Sequence, residues 1–61
     1  MANLSTKEAF ALDDQLGVEQ NLVQKYKSYA GVCSDSKLKT EFEQMAQKHQ
    51  QHFDKLKKFL N

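Results

Sequence analysis

The chain has no proline, two glycines and one cysteine among its 61 residues, and its nine basic and eight acidic side chains leave a formal charge of only +1. Each shortage removes a class of function. With only Gly17 and Gly31 there is no glycine-rich loop to cradle a phosphate, which excludes the nucleotide enzymes. With Cys33 alone there is no intrachain disulfide and no CxxC metal or redox motif, so a reducing compartment is expected. A charge of +1 is too small for a strong sequence-independent grip on a phosphate backbone, so no nucleic-acid partner is expected. No run approaches the roughly 18 apolar residues of a membrane span, and Met1–Glu8 carries no apolar leader, so the reading is soluble and cytoplasmic. The one basic cluster, Lys55, Lys57 and Lys58, has two readings: a weak membrane-surface patch, or a solvated helix end complementing the helix dipole.

At this length the chain is a single domain, 1–61, in the size range where one core is marginal without a metal, disulfides or self-association. The only cluster of turn residues is Gly31-Val32-Cys33-Ser34-Asp35-Ser36, and it divides two long periodic segments. The first opens on Ser5-Thr6-Lys7-Glu8, a capping box. Helix 1 is expected over about 6–31, a turn over about 32–35 and helix 2 over about 36–60, with Ser34 or Asp35 as its N-cap. Gly17 lies inside helix 1 for no reason the sequence supplies.

Along helix 1 the apolar steps of three and four run Ala9, Leu12, Leu16, then Glu19, then Val23, Tyr26 and Ala30. Along helix 2 they run Leu38, Phe42, Met45, then His49 and His52, then Leu56 and Phe59. Flanking rows, Leu22 and Tyr29 on one helix and Ala46, Phe53 and Leu60 on the other, make each apolar face wider than a two-helix seam can bury. The fold expected is all-α: an antiparallel helical hairpin that pairs with a second copy into a four-helix bundle homodimer. Phe10 and Val18 fall outside the stripes.

The three polar interruptions fall at one height. In an antiparallel hairpin turning near Ser34, facing residues have numbers summing to about 68, because both helices rise equally per residue. That register sets Leu12 against Leu56, Val23 against Met45, Tyr26 against Phe42 and Ala30 against Leu38, and it sets Glu19 against His49 with His52 beside Leu16. His49 and His52, three apart, project from one face. With Glu19 they form a candidate metal site whose imidazole and carboxylate donors suit zinc, iron, manganese or copper better than calcium or magnesium. Two other readings stand beside it: a metal-free polar layer that sets register, and a histidine face lying on a partly exposed boundary. The segment Lys48–His52 is not the HExxH signature, Cys33 is too far along the helix to pair with a histidine as a nucleophile, and no catalytic residue is assigned. Tyr26 can fill the core or act as a hydrogen-bonding or electron-donating neighbour of the site.

The constellation resembles half of a ferritin-like bundle, in which a glutamate on one helix and a Glu-x-x-His pair on the next enclose metal with a second such half. In that likeness Glu19 corresponds to the first-helix glutamate, His52 to the histidine of the pair, and His49 stands where a carboxylate is usual. The Leu-Ser-Thr-Lys-Glu opening, Tyr26-Lys-Ser-Tyr29-Ala30 and His-Gln-Gln-His-Phe are similar to the small ferritin-like proteins related to the spore coat protein F family of spore-forming Firmicutes. The resemblance implies a metal-binding bundle with a structural or storage and redox role, and a possible place among spore coat proteins. Imidazole at His49 removes a bridging ligand, so the implied metal shifts from di-iron oxidase chemistry toward zinc or a mononuclear site.

Overall fold

The computed structural model describes residues 4–60 and contains two helices in an antiparallel hairpin. Residues 1–3 and 61, which the 1–61 domain boundary includes, lie outside the described residues. Helix α1 spans Thr6–Val32 and helix α2 spans Ser36–Lys57, closing in a short 3-10 turn over Lys58–Leu60. The expected continuation of α2 to residue 60 is therefore helical throughout but tightens in its last turn, a common way for terminal carbonyls to find donors.

Local chemistry explains the boundaries. The Ser5 hydroxyl accepts the Glu8 N–H at 3.1 Å while the Glu8 carboxylate accepts the Ser5 N–H at 3.0 Å, so the capping box read from the sequence is formed. The Ser5 backbone N–H, and after it the Ser5 hydroxyl, holds the Glu8 carboxyl below its ordinary value. At the other end Cys33 turns extended and stops α1, and two residues later the Asp35 carboxylate accepts the Leu38 N–H at 2.8 Å and starts α2. Asp35, rather than Ser34, is the cap. Lys55 and Lys57 occupy the last turn of α2, where they oppose the negative end of its dipole.

The hairpin measures 46 × 16 × 11 Å, and 11 Å is about one helix diameter. It is a single layer, so each helix can bury only the strip that meets the other. That strip is Leu16, Glu19, Val23 and Ala30 from α1 and Ala46 from α2. Two pairs of the expected register are formed: Glu19 meets His49, and Tyr26 lies nearly parallel to Phe42 with ring centroids 6.1 Å apart, whereas Met45 and Leu38, expected against Val23 and Ala30, are exposed. One detail of the seam differs from expectation. Ala46, read as a flanking residue, is 4% exposed, whereas Met45, read as a seam residue, is 41% exposed, and Leu38 is exposed with it. The close approach of the helices at Ala46 rotates α2 so that its small residue faces α1, and this turns Leu38 and Met45 outward onto one side of the hairpin.

Gly17 lies on the side of α1 away from α2, and a Cβ built there meets nothing within 4 Å. Gly17→Ala should therefore raise stability by about 1 kcal/mol through helix propensity alone. Thermal or urea unfolding checks this, and an unchanged or lowered midpoint would contradict it.

Candidate metal centre

Helix α1 carries one carboxylate into the seam and helix α2 answers it with two imidazoles one turn apart. Glu19 is 7% exposed, the only charged residue buried among those described. Its Oε1 accepts a hydrogen bond from His49 Nδ1 at 2.7 Å, and His52 Nδ1 stands 3.4 Å from the same oxygen. Its other oxygen, Oε2, accepts from the Gln15 side-chain amide at 3.0 Å. Both oxygens are thus met, and no buried side-chain polar atom among the described residues lacks a partner. The bond from His49 holds the Glu19 carboxyl below its ordinary value, Gln15 and the charges of His49 and His52 add to this, and burial opposes it.

The two histidines differ in setting. The His49 side chain is 25% exposed, and its ring lies parallel to Tyr26 at 5.7 Å with 11° between planes. The His52 side chain is 53% exposed, and its ring meets His49 edge-on at 5.5 Å. Tyr26 in turn rests on Phe42, and Tyr29 closes the aromatic group with its ring 5.4 Å from that of Phe42. His49 is therefore held by a hydrogen bond on one side and a ring stack on another, while His52 is anchored at one edge only.

All three residues read from the sequence come together. Glu19, His49 and His52 each offer a ligand atom, and these atoms lie within 4.8 Å of one another. Ligands on a tetrahedral zinc with bonds near 2.0–2.1 Å sit about 3.3 Å apart. The two Glu19–imidazole distances, 2.7 and 3.4 Å, bracket that spacing. Replacing the hydrogen bond by metal ligation would require loss of the Nδ1 proton. Gln15 is the contributor that sequence reading missed. Its signal was its place four residues before Glu19 on the same helix, the spacing at which side chains meet. Cys33 sits in the turn, its thiol 3.5 Å from the Asp35 carbonyl, and takes no part.

The fold and the cluster together define a two-helix antiparallel hairpin in which a buried carboxylate and two partly exposed imidazoles converge at mid-height. Compared with protein-family models, with curated proteins and with solved structures, the chain matches none. Among the described residues, no helix is long and apolar enough to cross a membrane.

Two outcomes follow for the metal-free protein. His49→Ala should cost about 1–2 kcal/mol, since it leaves a buried carboxylate oxygen without its donor, whereas His52→Ala, at a half-exposed position, should change stability by about 0.5 kcal/mol or less. Urea unfolding in chelator distinguishes them, and equal effects would contradict the geometry. Because Glu19 has a folded-state pKa below its ordinary value of 4.5, its contribution is complete above pH 4.5 and is lost as pH falls through the lower folded value. Unfolding midpoints measured from pH 6 downward should decline on the acid side of about 4.5 in the native chain, with a smaller decline in Glu19→Gln.

Proposed function

We propose that this chain is a transition-metal-binding protein of ferritin-like architecture, its hairpin pairing with a second copy as a four-helix bundle homodimer. Glu19, His49 and His52 hold zinc or iron for a structural or a storage and redox role. The observation that carries this reading is the convergence of three donors, from two helices, at spacings suited to one ion. Two imidazoles and one carboxylate are a donor set used by zinc sites and by mononuclear non-haem iron. Binding would also stabilise a domain whose core is a single narrow strip, since a ligand held only by the folded state adds about 2.7 kcal/mol at a hundredfold excess over its dissociation constant. Catalysis is not part of the proposal.

A second reading is favoured by one observation: Glu19 is already satisfied by His49 and Gln15 without an ion. In that reading the layer sets the helical register of a metal-free structural or interaction protein, such as a spore coat component, and replacing Glu19 and His49 together by leucine should stabilise the fold.

Protein grown with iron and zinc present should carry stoichiometric metal by elemental analysis, and saturating zinc should raise its unfolding midpoint by several degrees. The His49→Ala, His52→Ala double variant should lose both effects. Absence of bound metal, together with a midpoint indifferent to zinc, would remove the metal reading and leave the register layer.

A further inference from the structure

The two sides of the hairpin differ in what they show to solvent. On one side Leu22 and Tyr29 from α1, seven residues apart, run beside Leu38 and Met45 from α2, also seven apart, a spacing that keeps each pair on one line of its helix. With Glu19 meeting His49, the antiparallel rise sets Leu22 level with Met45 and Tyr29 level with Leu38, so the four make one patch between the turn and the donor cluster. Tyr29, Leu38 and Met45 are exposed, and Leu22 is half-buried. On the other side Ala30, Gly31 and Ala46 floor a shallow groove rimmed by lysine, glutamate and glutamine.

Lysines border the patch along both long edges of the hairpin. On α1, Lys25 lies between Leu22 and Tyr29, its Nζ 5.8 Å over the Tyr29 ring. On α2, Lys37, Lys48 and Lys55 recur at three and two helical turns along the edge next to Leu38 and Met45, and Lys55 shares a groove with His52. All four lysines are exposed, and the only ion pairs among the described residues are those of Glu19 with His49 and His52. Glu41 is the one carboxylate beside the patch, while farther along the α1 edge Lys7 and Asp14 offset one another. The basic cluster at the end of α2 is thus split: Lys55 joins this edge, whereas Lys57 turns over the Phe53 ring at 5.9 Å.

We infer that this side of the hairpin adsorbs to the surface of an anionic lipid bilayer, with Leu22, Tyr29, Leu38 and Met45 entering the headgroup boundary and the edge lysines meeting lipid phosphates. Shape and charge name the occupant. The face is 46 Å long and 16 Å wide on a layer one helix thick, so it is flat. Its cations stand on both long edges, which matches a plane of anions; a single acidic helix laid along the seam presents its charge on one line. Lysine stems lie along apolar surface while their ammonium groups reach the phosphates, and a tyrosine suits a boundary that is apolar at one end and wet at the other. An apolar stripe bordered by lysine, on helices too polar to span, lies in the interface plane. The overall charge of +1 hides this local excess, because the remaining carboxylates lie away from the patch. The pairing of copies proposed above would use the same side, so bilayer and second copy compete for it, and the inference stands apart from the metal reading.

The test is co-sedimentation of the full chain, in chelator, with vesicles of equal parts phosphatidylglycerol and phosphatidylcholine and with vesicles of phosphatidylcholine alone. At about 50 mM salt the anionic vesicles should bind the chain at least about tenfold more tightly than the neutral ones, and about 500 mM salt should remove most of that difference. Lys25→Gln with Lys48→Gln should weaken binding about thirtyfold, or about fivefold per lysine, whereas Lys27→Gln with Lys39→Gln, the same charge change on the other side, should alter it less than about twofold. Glu41→Gln should tighten binding severalfold. Leu38→Gln with Met45→Gln keeps every lysine and should weaken binding about tenfold, helix content being verified by circular dichroism for each variant. No binding to anionic vesicles at low salt overturns the inference, including the case in which sedimentation equilibrium shows a dimer that stays free of lipid and leaves this side to the second copy. Equal effects of the two lysine pairs overturn it in favour of net charge alone. Undiminished binding by the Leu38, Met45 variant, with polyglutamate displacing the chain from vesicles, overturns it in favour of a general polyanion surface. None of the substituted residues is a metal donor, so each of these failures leaves the metal reading as it stood.

Discussion

A carboxylate withdrawn from water at the middle of a two-helix seam must find its donor on the opposite helix, and the rest of this hairpin is arranged around that requirement. Glu19 is buried, and His49 meets it at 2.7 Å. Sliding one helix past the other by a turn toward Met45 would set the carboxylate against an apolar side chain and remove its cross-helix donor. Apolar contacts alone would not impose this, since leucine, valine and alanine pack almost equally well one turn along. The Glu19–His49 layer stands in the register in which Tyr26 stacks on both Phe42 and His49.

In the metal-binding reading, stability and function draw on the same atoms of this layer. Without metal, Glu19 is satisfied by His49 and Gln15, so the hairpin can hold its register in either state. On that reading the same oxygen and imidazoles would become ligands, while the aromatic group of Tyr26, Phe42 and Tyr29 supports His49. His52 lacks such support and lies half in solvent. A single layer 11 Å thick buries only the strip where the helices meet, which is why one side of the hairpin keeps exposed apolar residues.

Much of this was legible from residue spacing. The capping box at Ser5 and Glu8, the turn around Cys33, the two helices and the three coincident polar positions all rest on rules that act within a few residues or follow from equal rise along antiparallel helices. Less legible was the rotation of each helix about its own axis. Steps of three and four assign a stripe about three residues wide but do not say which row points inward, and so Met45 was placed in the seam and Ala46 beside it, the reverse of what the fold adopts. Gln15 escaped for a related reason: a glutamine one turn before a glutamate is ordinary on a helix surface, and becomes a ligand's support only when that glutamate is buried.

Sequence by itself determined where the helices start and stop, that there are two of them, and that Glu19, His49 and His52 share a height, because capping, turn chemistry and helical rise are local properties. Tertiary structure decided which of these groups are dry and which are wet. Burial depends on how closely the backbones approach, here set by the small side chain of Ala46 meeting α1. That contact drew Glu19 and His49 into the seam and left His52 outward, in line with Leu38, Met45 and Phe59, on the side where the hairpin remains uncovered.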